Sequence, residues 1–384
     1  MPISSRIPLS VVINSLESGG AESHLLGVLP RLDPARFAVS LFTLRIGGSL
    51  HSAFIESGVH VVQGHNGRVS SLFLLANEVR RVHPLVHCFL PESYLLGGGV
   101  ALMQGAAACL MSRRCRNHYQ ARHPFAAWVE SHLHQRIDAL LGNSQAVVQD
   151  LLDEGAPPER VRLLYNGIDN ALYPTGRARF RRRRAMRTEL RLPEDRVVLI
   201  CVANLYPYKG HADLLDALAL LGAGNTARPT LLLVGRDAGA RASLEIQAAR
   251  LGLSASVRFL GERGDVPDLL AASDIGVLAS HEEGFSNAVI EGMAASLPMV
   301  VTNVGGNAEA VIDGESGYVV SSHDPAALAK ALVSLIGDSC CRQTMGEAAR
   351  RRVAESFSLD ACVTAYEALY EELWDRCVSA ARRK

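Results

Sequence analysis

The sequence has no excess of charge: 39 basic residues stand against 39 acidic ones among 384. No global field therefore draws the chain to nucleic acid, and none is expected as a partner. It has no CxxC pair either. The eight cysteines (Cys88, Cys109, Cys115, Cys201, Cys340, Cys341, Cys362 and Cys377) lack the spacing of a metal or redox motif. Several sit in apolar runs, so they are read as free buried thiols in a reducing compartment. The N-terminal segment MPISSRIPLSVVI has one early arginine but no signal-peptide core and no small-residue cleavage site, which leads us to expect a cytoplasmic protein. A long apolar run is also missing. The nearest to one, YLLGGGVALMQGAAACLM at 94–111, carries a glutamine and four glycines, and is better read as a helix followed by a buried strand. There is no internal repeat. Neither a Gly-Lys-Ser/Thr phosphate loop nor GxGxxG is present, which argues against a nucleoside triphosphatase and a dehydrogenase.

What is present is an alternation. Short β-branched apolar runs are separated by longer amphipathic stretches, the pattern of parallel sheets with crossover helices. LSVVIN, AVSLFTL, VHVVQ, LVHCFL, AACLMS, ALLGN and VRLLYN make one set; VVLICVAN, TLLLVG, VRFLG, IGVLAS, PMVVTNV and GYVVS make a second. An arginine-rich, periodicity-poor stretch, DNALYPTGRARFRRRRAMRTELRLPEDR, lies between them and reads as a linker entering the first helix of a second domain. The expected class is α/β, with two Rossmann-like doubly wound domains (1–170 and 171–360) and a C-terminal helical segment (361–384) that crosses back to the first. Tyr366, Leu369, Tyr370 and Leu373 share one face of that segment. Ligands of such sheets bind at the carboxyl ends of strands, so an active site is expected in an interdomain cleft.

Those strand ends carry the chemistry. After IGVLAS comes HEEGF, with Ser286 placed to cap a helix running from about Asn287 to Ser296. The amides of Phe285, Ser286 and Asn287 would form an anion site strengthened by the helix dipole. Glu283 precedes it, and Glu291 follows eight residues later, roughly two helical turns on. Phosphate on the amides and hydroxyls on the carboxylates would suit a sugar nucleotide. A solvated loop glutamate and a satisfied helix glutamate explain the spacing equally well. Lys209 in LYPYKGH ends another strand, where a mobile cation would neutralise a diphosphate. Gly235, Arg263 and the Gly305-Gly306 pair end further strands, and each is also consistent with a plain turn. In the first half, Gly19 and Gly20 open a helix that would approach a phosphate from the opposite side.

Together these residues resemble the retaining glycosyltransferases of family 4, which have the two-domain GT-B fold. GGAE (19–22), NS (143–144), YNGID (165–169), VAN…KGH (202–211), VGRD, VRFLG and EEGFSNAVIEGMAASLPMVVTNVGGNAE occur in family order over nearly the whole chain. The resemblance implies that Glu283 bonds the donor sugar's hydroxyls and Glu291 the ribose. Lys209, the amides of Phe285 to Asn287 and the Gly20 loop would hold the diphosphate. The implied reaction is metal-independent transfer with retention, from a nucleotide-sugar donor, UDP-sugars favoured, to a glycan or lipid-linked acceptor. No cofactor is implied, and the first domain is expected to bind the acceptor.

The chain departs from the family in two places. Relatives usually carry an arginine a few residues before the lysine; here the stretch reads Asn204-Leu205-Tyr206, leaving Asn204 as the candidate contact. Many also carry a histidine after the strand that here reads CLMSRRCRNHYQ. Arg113 and His118 stand near that point, and His87 ends a neighbouring strand, where a satisfied core histidine is the competing reading. The run Arg177 to Arg187, seven arginines in eleven positions, is read as a solvated helix face or as a contact with anionic lipid headgroups at the inner face of the membrane.

Overall fold

Apolar runs without a polar alternation are what strands buried on both faces require, and they form the two sheets of this protein. The computed structural model describes residues 6–65, 67–117, 120, 123–221 and 228–382. It comprises two units, Met1–Gly167 with Leu359–Lys384, and Ile168–Ser358. In the first, strands β1 (Ile7–Ile13), β2 (Phe37–Thr43), β3 (His60–Gln63), β4 (Leu85–Phe89), β5 (Ala108–Arg113), β6 (Ala139–Gly142) and β7 (Val161–Leu163) pair in the order β3-β2-β1-β4-β5-β6-β7. In the second, β8 (Val198–Val202), β9 (Thr230–Val234), β10 (Val257–Gly261), β11 (Ile275–Leu278), β12 (Met299–Thr302) and β13 (Gly317–Val320) pair as β10-β9-β8-β11-β12-β13. All pairings within both sheets are parallel. Each order reverses once, at β1/β4 and at β8/β11, and the loops that leave the two strands of a switch point open a crevice between them.

Alternation along each strand divides the first unit's core in two. Leu9, Val11 and Ile13 of β1, Leu85 and Phe89 of β4, and Ala108 and Leu110 of β5 join one cluster. Val12, Val86, Cys88, Cys109 and Met111 join the opposite one. The C-terminal segment is a single helix, Leu359–Arg382. Its Tyr366, Leu369, Tyr370 and Leu373, the face expected from spacing, are buried in the first of these clusters. The two points where the chain passes between units are paired with each other: Ile168 bridges Ser358, and its amide donates to the Phe357 carbonyl at 2.9 Å. The stretch 94–111 is a π-helical turn, a short α-helix and the start of β5. Among the described residues no helix is long and apolar enough to cross a membrane.

Side-chain periodicity also settles the arginine run. It lies in the helix Gly176–Glu189, and Arg183 and Arg187, one turn apart, both pair with Asp274 at 2.8 Å. Arg187 is buried and donates further to the carbonyls of Pro193, Glu194 and Arg196, whereas Arg177, Arg181 and Arg184 are exposed. The run is therefore structural on one face and exposed on the other. The cysteines are unbridged, but only four are buried; Cys340 is exposed and Cys115, Cys341 and Cys377 are half-buried, contrary to a uniform reading as core thiols.

Two candidate residues belong to the interior instead. Arg113, 1% exposed, lies on the β5 face of Cys109 and Met111, where it pairs with Glu130 at 3.4 Å and with Glu154. Glu154 also meets His134 Nε2 at 3.0 Å, and the other ring nitrogen of His134 meets the Tyr94 hydroxyl at 2.9 Å. Burial alone would raise the Glu154 carboxyl, but the bonds from His134 and Arg113 hold it down at about 2. Buried and paired with two carboxylates of the interior, Arg113 is part of the core, so the expectation that it binds donor or acceptor is corrected. His87 is fully buried. Its Nδ1 meets the Tyr370 hydroxyl at 2.8 Å and its Nε2 the Ser112 hydroxyl at 2.9 Å, so it is a core histidine and not a ligand group. Burial depresses its pKa to about 3 and keeps it neutral. Replacing Arg113 by methionine leaves two carboxylates without their buried cation, and is expected to destabilise the first unit by about 3–5 kcal/mol. A lowered midpoint in thermal or denaturant unfolding checks this.

Candidate active site

The second sheet's switch point brings the two chemically suggestive loops together. β8 and β11 are neighbours, so LYPYKGH after the one and HEEGF after the other leave the sheet side by side. Gly210 closes the gap. Its backbone is left-handed (φ 67°), and a Cβ there would collide with the carbonyl oxygen of Ala279. Only glycine tolerates both the dihedral and the approach. The Tyr208 carbonyl accepts from the His281 amide at 2.7 Å, which seams the same two loops.

Lys209 is carried on a 3₁₀ turn, Pro207–Lys209, immediately before Gly210. Its Nζ lies 2.7 Å from Oε1 of Glu283, and the Ser280 hydroxyl donates to the same oxygen at 2.7 Å. The lysine is 18% exposed and the glutamate 9%. Burial pulls the ammonium's pKa down, but the adjoining carboxylate outweighs it and raises it, so the lysine stays charged. Tyr208 lies against the same ammonium, its ring centroid 5.4 Å from Nζ, and stacks on Tyr206. Sequence reading placed Lys209 and Glu283 as separate contacts for phosphate and sugar. The fold joins them as a preformed pair, with Ser280 as an unforeseen third member.

The helix after this loop is Asn287–Ala294, two residues shorter than expected. Ser286 occupies its N-cap position in extended conformation, but its side chain makes no capping bond, so the expected role of the hydroxyl is not realised. Phe285 is buried, its ring against that of Phe357. The helix starts at Asn287, as expected, so Glu291 sits one turn into it and only part of its separation from Glu283 is helical. Asn287, Ala288 and Glu291 are the half-buried positions of an otherwise buried helix, which places them on one face. No side chain among the described residues bonds the Glu291 carboxyl, and burial pushes its pKa up to about 7. A carboxylate held that way is suited to accept hydrogen bonds from a ligand's hydroxyls.

The remaining candidates are already engaged. Gly235 (φ 153°) is approached by protein backbone: a Cβ there would meet the Ala203 carbonyl. The side chain of Asn204 fixes the next residue, accepting from the Arg236 amide at 2.9 Å. Arg263 is bound to Asp265 and to Glu189, the latter at 3.1 Å. In the first unit Gly19 precedes the helix Gly20–Val28, and the Glu22 carboxylate lies over it, 2.5 Å from where a Cβ would stand. A side chain at position 19 would therefore meet a carboxylate of the chain itself. His118 lies outside the described residues. What sequence reading missed is Arg114, one residue past the interior Arg113 and on the other face. It donates to Asn166 Oδ1 at 2.5 Å and lies near Glu22 and Tyr366. Strict two-residue alternation through CLMSRR is the signal that separates the two arginines.

Comparison with known proteins agrees with this geometry. The family model described as "Glycosyltransferase Family 4" matches residues 18–172, and that described as "Glycosyl transferases group 1" matches 182–352. The chain is similar to the D-inositol 3-phosphate glycosyltransferase of Corynebacterium efficiens, 34% identical over 250 residues, which cover 63% of this chain and 58% of that protein. It thus spans little more than half the length of that relative. It is also similar to the enzyme of the same name from Salinispora tropica, 29% identical over 388 residues covering 90% and 80%. Among solved structures, Anabaena HepE in complex with UDP-glucose aligns with a TM-score of 0.85 at 23% identity, over 95% of this chain and 100% of that one. That likeness shows the GT-B architecture.

Glu291 yields a pH test. Its folded pKa, about 7, stands above the ordinary 4.5, so the folded chain holds a proton that the unfolded chain has released. The stability this contributes is fully present below pH 4.5 and is lost as pH rises through 7. Glu291→Gln is therefore expected to melt above the wild type at pH 8, with the gap closing by pH 5. Thermal melting at the two values checks it.

Proposed function

The chain belongs to glycosyltransferase family 4, and from that premise we propose that it transfers a sugar, with retention and without a metal, from a UDP-sugar to a glycan or lipid-linked acceptor of surface polysaccharide or glycolipid synthesis. The observation that carries this reading is the Lys209–Glu283 pair at the second sheet's switch point, with Glu291, unpartnered among the described residues, on the following helix. UDP and UDP-glucose are bound by Anabaena HepE, which has the same fold and supports uridine as the base.

In this reading the ammonium of Lys209, kept protonated by Glu283, stabilises charge on the diphosphate as the glycosidic bond breaks. Glu283, fixed by Ser280, receives the sugar's hydroxyls. Glu291 receives the ribose, and the amides of Phe285 to Asn287 receive phosphate. Catalysis is positioning and electrostatics, with the acceptor attacking from the face the phosphate leaves. Exposed Arg177, Arg181 and Arg184 support a peripheral contact with anionic headgroups, each arginine contributing about 1 kcal/mol. A second reading, a non-catalytic sugar-nucleotide binder, draws on the Asn204-Leu205-Tyr206 stretch that stands where relatives carry an arginine.

Release of UDP from UDP-sugars, with and without an acceptor panel, tests the enzyme reading. Lys209→Ala is expected to lower the rate by about 10²–10³, the usual loss of one transition-state donor. Glu291→Gln is expected to weaken UDP binding by about 10-fold or more at pH 8. UDP binding without UDP release under any donor and acceptor would establish the binder instead.

A further inference from the structure

Beside the Lys209–Glu283 pair, on the same unit, lies a group of side chains that the reaction does not use. Asp213 stands in the first turn of the helix His211–Leu220, His281 in the loop after β11, and His323 between β13 and the helix Pro325–Gly337. Three segments far apart in sequence thus converge on one point. His281 Nε2 lies 2.8 Å from Oδ2 of Asp213, and His323 Nδ1 lies 3.9 Å from the same oxygen. The two imidazole rings face each other with centroids 3.7 Å apart, and one donor atom from each of the three residues falls within 4.8 Å of the others.

The geometry points to a site for a zinc-class transition-metal ion, held by His281, His323 and Asp213 with water in the fourth position. Two imidazoles and one carboxylate are a donor set that such ions take and that magnesium and calcium, which prefer all-oxygen shells, do not. In tetrahedral zinc coordination the donors stand roughly 3.3 Å apart, given bonds of about 2.0–2.1 Å. Small side-chain rotations therefore close the site. His323 has the freedom for them, being 66% exposed. Its backbone is left-handed, with φ 58°, a conformation uncommon for residues other than glycine. That conformation turns the loop so that its imidazole stacks on His281. The ion would tie together the segments that carry the catalytic pair, since Asp213 follows Lys209 by four residues and His281 precedes Glu283 by two. Its role is structural, a clamp on those loops, and it takes no part in the transfer.

The test compares the metal-stripped full chain with His323→Asn, asparagine being tolerant of the left-handed backbone, and with Asp213→Asn. After equilibrium dialysis against Zn²⁺ the wild type is expected to retain one equivalent more than either variant. Its thermal midpoint is expected to rise with Zn²⁺ and not with Mg²⁺. Thiol binding, at exposed Cys340 for instance, is common to all three proteins and cancels in the difference. Equal zinc retention by wild type and variants, or none by any, overturns the site whatever the outcome of the transfer assay.

Discussion

One oxygen of Glu283 receives both the ammonium of Lys209 and the hydroxyl of Ser280, and the organisation of the second unit follows from what that contact demands. Lys209 and Glu283 are 74 residues apart, so the pair exists only because β8 and β11 are neighbours. They are neighbours because crossovers of one hand wind the sheet outward in both directions from its first strand. Gly210 then removes the last obstacle, letting the lysine's loop settle on the Ala279 carbonyl. A buried ion pair of this kind adds little net stability by itself. It supplies a cation and an acceptor whose positions are set before a ligand arrives.

The first unit is built on the same winding with a different emphasis. The loop after β1 leads into the helix carrying Glu22, whose carboxylate lies over the helix start at Gly19, and Arg114 follows β5, the neighbour of β4. Behind them His87 links Ser112 to Tyr370 by a hydrogen bond from each ring nitrogen, and the tyrosine is supplied by the C-terminal helix. That helix completes the core in which the strand-end groups are seated.

Much of this was legible in advance. The strand runs, the two-sheet division, the buried face of the C-terminal helix and the positions of Lys209, Glu283 and Glu291 follow from apolar periodicity and from loops at strand ends. Less legible were matters of direction and pairing. Arg113 and Arg114 are identical in composition and adjacent in sequence, yet the pleat sends one into a cluster of carboxylates and leaves the other near Glu22. The arginine run looked like a solvated helix face or a contact for lipid headgroups, but a 3.6-residue repeat turns Arg183 and Arg187 onto Asp274. Glycine at 235 looked like room for a ligand, and the Ala203 carbonyl stands where its side chain would be.

The sequence alone therefore determined the fold class, the family resemblance and the identity of the acidic and basic groups at the strand ends, because hydrophobic period and loop placement are local properties. Only the tertiary structure decided which of those groups meet. It paired Lys209 with Glu283, left Glu291 without a side-chain partner among the described residues and raised its pKa, withdrew His87 and Arg113 into the core, and gathered Asp213, His281 and His323. The reason is physical: burial and partnership depend on what the rest of the chain brings alongside a residue, and no window of sequence around that residue contains it.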